Sequence, residues 1–429
     1  MSASFASLLR QPWWAGPNLF AAGLFCLVTA QFFGQKFLAV GQGLVFLSIL
    51  ATFRERGFAS LEPGRWGASA KCLAAFLFVS FLSIVGNLAL VERPVAHLTM
   101  LRTFVLFLLV LAMPALVGRN LGVPWRRDSL VLAWLVPLGL ALLFGTAAAA
   151  GAVPGFGPAE GAKTVRISGF YGQVMSFAYT LQFSVLLLAI LVFQPDLWRR
   201  VTRLPYAVAV GALIAAGAGL YFTHTRGAAL GVVAGLVVHG AMRSRRLLAA
   251  VVAVALAAGL FAWIDGSRLV RRDASADLRA GHWRAAALAA LERPVLGWGY
   301  RNFQLHSAEL KERYGFEKEV SWVGGQRQAP SHLERHAHNN YLETFASTGA
   351  FGGIAFLAFC WCWVGECRRS RYGAVFAPLA AAFLVSGLFE NTFFDGEPLN
   401  AILLAWLFSQ WILRLEREAP GRVTPPAPA

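Results

Sequence analysis

The chain has 429 residues, of which 57% are hydrophobic and 14% charged, and its mean hydropathy is +0.57. A soluble domain carries about 25% charged residues, so this composition excludes a soluble globular enzyme and excludes a disordered chain. In a soluble protein a formal charge of +16 would suggest nucleic acid. Among so many apolar runs it reads as loop charge facing an anionic inner leaflet, with membrane lipids and no nucleic acid as partners.

Roughly 20 consecutive apolar residues span a bilayer core as a helix. On that basis the sequence predicts an all-α polytopic membrane protein forming a single transmembrane domain over 1–429. Twelve spans are expected, near 17–33, 36–53, 71–91, 97–118, 129–150, 173–194, 204–222, 228–242, 247–264, 340–365, 373–393 and 398–413. The first run lacks a small-residue cleavage site and is read as a retained span. Spans seven to nine are rich in Ala, Gly and Val, which let helix backbones approach closely.

Loop charge sets the expected orientation. With the N-terminus inside, the inner segments collect Arg10; Arg54, Arg56, Arg65 and Lys71; Arg119, Arg126 and Arg127; Arg199, Arg200 and Arg203; Arg243, Arg245 and Arg246; Arg368, Arg369 and Arg371; and Arg414, Arg417 and Arg422. The short outer loops hold Lys36, Arg93, Lys163, Arg166 and Arg226. This bias puts both termini in the cytoplasm. One outer loop, 265–338 between spans nine and ten, is long and polar. Loops of that length are functional or disordered. A helix is expected over Arg279–Glu292, ended by Pro294, Gly297 and Gly299. A second outer loop, 151–172, carries several Gly and Pro. The Pro-rich tail 419–429 reads as disordered and cytoplasmic. There is no internal repeat. The five cysteines suggest neither a disulfide framework nor a zinc site.

Three polar clusters fall on the outward side. In Thr223-His224-Thr225-Arg226-Gly227, Arg226 is either an interfacial anchor or an anion clamp, since a guanidinium forks onto phosphate; Gly227 permits close backbone approach. In the second cluster Arg279, His282, Trp283 and Ala286 share one helix face. That face suits either a sugar or phosphate ligand or the membrane surface. Gly297-x-Gly299 does not follow a strand, so no dinucleotide fold is expected. The third cluster, His332 to Glu343, brings three His together. These are too sparse for a metal site, and an imidazole there can act as a general base. Asn339 and Glu343 are spaced to meet on one helix face. Asn87, Arg102, Glu390, Asn391 and Asp395 lie at membrane depth, where polar groups face a cavity or the bundle interior. Arg102, Arg166, Arg226 and Arg279 are expected to converge on one outward cavity; alternatively Arg102 pairs with Glu390.

Taken in order, Arg166-Ile167-Ser168-Gly169, Thr223-x-Thr225-Arg226-Gly227, Arg279-x-x-x-Trp283, Arg293-Pro294-x-x-Gly297-x-Gly299 and Ala337-His338-Asn339-x-Tyr341-Leu342-Glu343 resemble the shared core of O-antigen ligases and related lipid-linked polysaccharide polymerases. The resemblance covers roughly 160–360. It departs mildly in having Thr225 before the first-cluster Arg, where the family has a small hydroxyl residue of the Ser type.

The resemblance implies a glycosyltransferase of the bacterial inner membrane, facing the periplasm. It would move a glycan from undecaprenyl pyrophosphate to lipid A–core, without metal or cofactor and with inversion. It further implies His338 as the base and Arg226, joined by Arg279, as the pyrophosphate binder. With these, Arg166, Arg102, Trp283, Asn339, Tyr341 and Glu343 complete the expected substrate site. The chemistry is coherent: pyrophosphate needs charge neutralisation more than a general acid, and the acceptor hydroxyl needs one base. A polymerase, a protein O-oligosaccharyltransferase and a lipid-linked glycan transporter are the alternatives.

Overall fold

The computed structural model describes residues 16–33, 35–56, 66–88, 98, 102–114, 116, 124–153, 166–171, 173–264, 274–314, 321–323, 326–328 and 336–418. The helices in chain order are α1 (Gly16–Phe33), α2 (Gln35–Arg56), α3 (Ala68–Asn87), α4 (Arg102–Ala112), α5 (Pro124–Ala149), α6 (Val174–Phe193), α7 (Pro195–Val201), α8 (Tyr206–Phe222), α9 (Arg226–Arg243), α10 (Arg245–Ile264), α11 (Ala274–Glu292), α12 (Phe303–Arg313), α13 (Asn340–Arg369), α14 (Gly373–Ser386) and α15 (Gly396–Glu418). Between α12 and α13, strands β1 (Ser321–Val323) and β2 (Gln326–Gln328) form an antiparallel hairpin with Val323 opposite Gln326.

A helix stands at each of the twelve expected span positions. Six are long and apolar enough to cross a membrane by themselves: α2, α3, α5, α6, α13 and α15. The pair α7–α8, bent by 107°, would make a seventh as a broken span. α1, α4 and α14 are shorter apolar helices. Leu143, Ile214, Leu256 and Trp361 are largely exposed along these helices, as apolar side chains facing lipid would be.

Two expectations need correction. The span expected over 373–393 stops at Ser386, and residues 387–395 form a chain of turns before Gly396 opens α15. Glu390 and Asn391 therefore sit on a loop and not within a helix, together with Asp395. The long segment 265–338 is partly helical as expected, but it also holds α12 and the hairpin, and α11 starts at Ala274.

The glycine-rich ninth helix packs as its composition implies. A side chain at Gly231 would lie 2.6 Å from Gln182 Oε1 on α6 and 3.1 Å from the Ala382 carbonyl on α14. Their absence lets α9 lie directly against both helices. Phe393, fully buried, anchors the 387–395 loop. Its ring lies 4.9 Å from Phe356, 5.3 Å from Phe107 and 5.7 Å from both Phe76 and Phe383. The loop thus hangs from the bundle core by an aromatic plug, which fixes the polar residues just before it.

α11 buries its alanine face against the rest of the protein. Ala285, Ala286 and Ala289 are buried with Trp298, Phe303, Leu310, Ala337 and Ala346 in a second core that joins α11, α12 and α13.

Candidate functional site

His338 immediately precedes α13 and is held there from several directions. Its backbone takes a left-handed conformation, φ 49°, which is uncommon for a residue with a side chain. Asn339 caps α13, its side-chain oxygen accepting from the N–H groups of Tyr341 at 2.9 Å and Leu342 at 3.0 Å. Its amide also donates to the Leu388 carbonyl at 3.0 Å. Glu343 is buried and turns back, accepting from the Ala337 N–H at 2.8 Å and from Ser347 Oγ at 3.2 Å. The expected meeting of the Asn339 and Glu343 side chains does not occur. The Tyr341 hydroxyl donates to the Leu384 carbonyl at 2.9 Å. The hydrogen bonds of Asn339, Tyr341 and Glu343 thus fasten the segment that carries His338.

The imidazole faces Glu390. His338 Nδ1 lies 2.7 Å from Glu390 Oε1, and His336 Nδ1 lies 3.7 Å from the same oxygen. Burial works against the charge on Glu390. The hydrogen bond from His338 and the neighbouring imidazoles outweigh it and bring the carboxyl pKa down to about 2. The His338 side chain keeps 21% of its surface against 8% for Glu390, so the ring reaches solvent while its partner lies behind it. Glu390 therefore pairs with His338. The side chain of Arg102 lies outside the described residues; its backbone opens α4.

The His282 ring, on α11, lies 5.5 Å from the His338 ring, and its Nδ1 is 2.7 Å from Lys311 Nζ on α12, both residues being buried. Arg279 is one helical turn before His282 and shares its face. Arg166 feels that charge: desolvation first, and the positive charge of Arg279 second, lower its pKa, although part of the residue stays exposed. Arg166 in turn grips the α8–α9 turn. Its Nε donates to the Thr223 carbonyl at 2.8 Å and an Nη donates to Thr225 Oγ1 at 3.3 Å. Arg226 follows as the first residue of α9, where backbone N–H groups favour an anion. Gly227 closes the ring, since a side chain there would collide with the Tyr179 hydroxyl and lie 2.9 Å from Phe389 Cβ, next to Glu390. Arg166, Arg226, Arg279, Trp283 and His338 therefore belong to one neighbourhood. Trp283 is half-buried, and its indole N–H has no partner among the described residues.

The Arg293-Pro294-x-x-Gly297-x-Gly299 motif has a different job. Gly297, Gly299 and Gly349 all have positive φ. The Trp298 and Gly299 N–H groups donate to the carbonyls of Ala346 and Ser347 at 2.9 and 2.8 Å, and the Ala350 N–H donates to the Pro294 carbonyl at 2.7 Å. A side chain on Gly297 would sit 2.5 Å from the Ser347 carbonyl carbon. Arg293 donates to Asn87 Oδ1 at 2.6 Å and stacks 3.9 Å above Trp298. The motif is a clasp that locks the end of α11 onto the kink of α13 at Gly349 and onto α3.

Sequence reasoning missed Lys311 and Tyr179, and it did not give Glu390 its partner. Lys311 stands in an ordinary charged helix with no motif around it. Tyr179 is hidden in an apolar run, yet its buried hydroxyl has no partner among the described residues. His336, His338 and Glu390 offer ligand atoms within 4.8 Å of one another and so could hold a metal ion. The 2.7 Å contact is equally the length of a hydrogen bond.

The described residues thus place an imidazole–carboxylate pair in a helical chain with six helices long and apolar enough to cross a membrane. Residues 210–357, which carry α9, the clasp and the His338 segment, match the family described as O-antigen ligase. That match covers 148 of the 429 residues, so the similarity to the O-antigen ligase family lies in this part of the chain. No curated protein matches the chain.

Proposed function

We propose that this protein transfers O-antigen polysaccharide from undecaprenyl pyrophosphate to the lipid A–core oligosaccharide at the periplasmic face of the bacterial inner membrane. In this reading the chain crosses the membrane twelve times with both termini cytoplasmic. The observation that carries it is the His338–Glu390 contact, in a chain where Arg166 senses the charge of Arg279 and Arg226 opens α9 beside the turn that Arg166 holds.

Glu390 accepts from Nδ1–H of His338 and leaves Nε2 as the base, because a carboxylate on one ring nitrogen sets the tautomer at the other. Nε2 takes the proton of the acceptor hydroxyl. The hydroxyl oxygen forms its bond to the anomeric carbon as the bond from that carbon to the pyrophosphate oxygen breaks, with inversion. The departing pair of electrons settles on the pyrophosphate, where Arg226, Arg279 and Arg166 neutralise it. Preplaced charges of this kind are usually the largest catalytic term. No metal is required, since the guanidiniums supply the neutralising charge.

Lipopolysaccharide from a deletion strain tests the reading. Loss of the whole O-antigen ladder, with accumulation of undecaprenyl-linked polymer, is expected of a ligase. A single-repeat band capping lipid A–core would instead make the protein a polymerase.

A further inference from the structure

A cavity of about 420 Å³ lies between α1, α5, α6, α7, α14 and α15, within the ~300–1,000 Å³ range of small-molecule sites. It is remote from His338. The start of α6 is tied to the 387–395 loop by the hydrogen bond from Ser176 to Asp395, whereas the cavity takes its α6 wall from Phe183 to Leu191. At the rise of a helix, Leu187 is about 16 Å further along than Ser176. The cavity therefore opens at the opposite end of the bundle, the end that carries Arg127, Arg199, Arg200 and Arg203.

Its walls are hydrocarbon and indole, with Trp134, Leu187, Leu404 and Phe408 among them, and Arg127 and Arg200 line it as cations. Two of its lining residues hold a buried donor with no partner among the described residues: Arg127 Nε and Trp411 Nε1. One Nη of Arg127 is spent on the Arg200 carbonyl at 3.2 Å, which holds the guanidinium at the wall. Buried donors are nearly always paired. Both orphans here are donors, so what completes them is an acceptor. An acceptor seated in an apolar cavity beside two guanidiniums is the phosphate end of a lipid.

We propose that this cavity binds an anionic glycerophospholipid of the leaflet at the cation-rich end of the bundle. One acyl chain fills the apolar space, the headgroup phosphate accepts from Arg127 and Arg200, and an ester or headgroup oxygen accepts from Trp411. Basic pockets between membrane helices on the cytoplasmic side bind such headgroups, and the arginine fork suits phosphate better than an ammonium would. The site is independent of the glycosyl-transfer reading.

Native mass spectrometry of the full-length protein in detergent tests this, with phosphatidylglycerol, phosphatidylcholine and undecaprenyl phosphate as probes. One phosphatidylglycerol per chain is expected to survive where phosphatidylcholine is lost. Arg127→Gln is expected to weaken retention about five-fold, the worth of one cation near an anionic lipid. Ala405→Phe, which fills the cavity, is expected to abolish retention. Melting temperatures of both variants verify folding, and Arg127→Gln leaves the cavity volume intact if Ala405→Phe overpacks. Equal retention of the two glycerophospholipids, or unchanged binding in Arg127→Gln, overturns the proposal. So does tighter retention of undecaprenyl phosphate, or displacement of phosphatidylglycerol by millimolar inorganic phosphate.

Discussion

His338 and Glu390 are 52 residues apart in sequence and 2.7 Å apart in space. One stands at the mouth of α13 and the other on the turns that link α14 to α15, and Phe393 plugs the second segment into the core. Substituting each partner separates their roles. His338→Ala is expected to leave a folded, inserted protein whose transfer rate falls by about 10²–10⁴-fold, the usual worth of a general base. Glu390→Gln is expected to lose about 10–150-fold, the range for a hydrogen bond to a charged group, with the loss in kcat and not in KM. Wild-type turnover in His338→Ala would remove the imidazole from the mechanism.

Arg226→Lys and Arg279→Lys keep the charge and lose the fork. Both are expected to raise the KM for the lipid-linked donor by at least about tenfold, because bidentate phosphate contact is not replaced by an ammonium. Arg166→Lys should differ from them. Arg166 also holds the Thr223–Thr225 turn, so its loss should lower the melting temperature as well. Equal KM values across wild type, Arg226→Lys and Arg279→Lys would make these residues anchors of the fold.

Much of this architecture could be read from the chain, and the exceptions have physical reasons. Apolar run length marked a helix at each of the twelve expected positions, six of them long and apolar enough to cross a membrane by themselves. The boundary at 386 was missed because Leu388, Phe389, Phe393 and Phe394 carry the apolar run onward, although Glu390, Asn391 and Asp395 interrupt it. The arginines and His338 were legible as an ordered set of motifs. Glu390 was visible as an oddly placed acid, but its partner depends on tertiary contact and leaves no local pattern. Gly297 and Gly299 were read as ending the α11 helix, which they do, but their packing against α13 leaves no mark in the sequence. A positive-φ glycine looks the same in sequence whether it cradles a phosphate or, as here, another segment of the chain.

That clasp makes its own prediction. A left-handed backbone costs about 1–2 kcal/mol for a residue with a side chain, and a methyl at Gly297 or Gly349 would also collide with backbone. Gly297→Ala and Gly349→Ala are each expected to lower the melting temperature in detergent by several degrees and to reduce membrane yield. Gly365→Ala, where a methyl meets nothing within 4 Å, is the matched control. A phosphate-binding role would instead leave stability unchanged and raise the donor KM.

The depressed pKa of Glu390 fixes a pH dependence of stability. A carboxyl whose folded pKa lies below its unfolded value stabilises the fold above the ordinary carboxylate range, and that contribution is lost as pH falls toward the folded value. For Glu390 the window runs from the usual value of 4.5 down to about 2. Wild type should therefore melt above Glu390→Gln at pH 6–7, and the difference should shrink as the pH is lowered through 4 toward 3. A gap that stays constant over that range would mean that the glutamate is held by packing and not by its charge.

His336, His338 and Glu390 form a donor set that a divalent ion could use, and an ion bound there would occupy the ring nitrogen that orients His338. If the pair works as a hydrogen-bonded dyad, EDTA should leave glycosyl transfer unchanged and added Zn²⁺ should inhibit, since imidazole is a good zinc ligand. His336→Ala gives an independent reading. It removes one donor of the metal set while leaving the His338–Glu390 hydrogen bond in place, so it should relieve zinc inhibition and retain most of the activity. Loss of activity with EDTA, restored by one particular ion and abolished in His336→Ala, would replace the dyad with a metal centre.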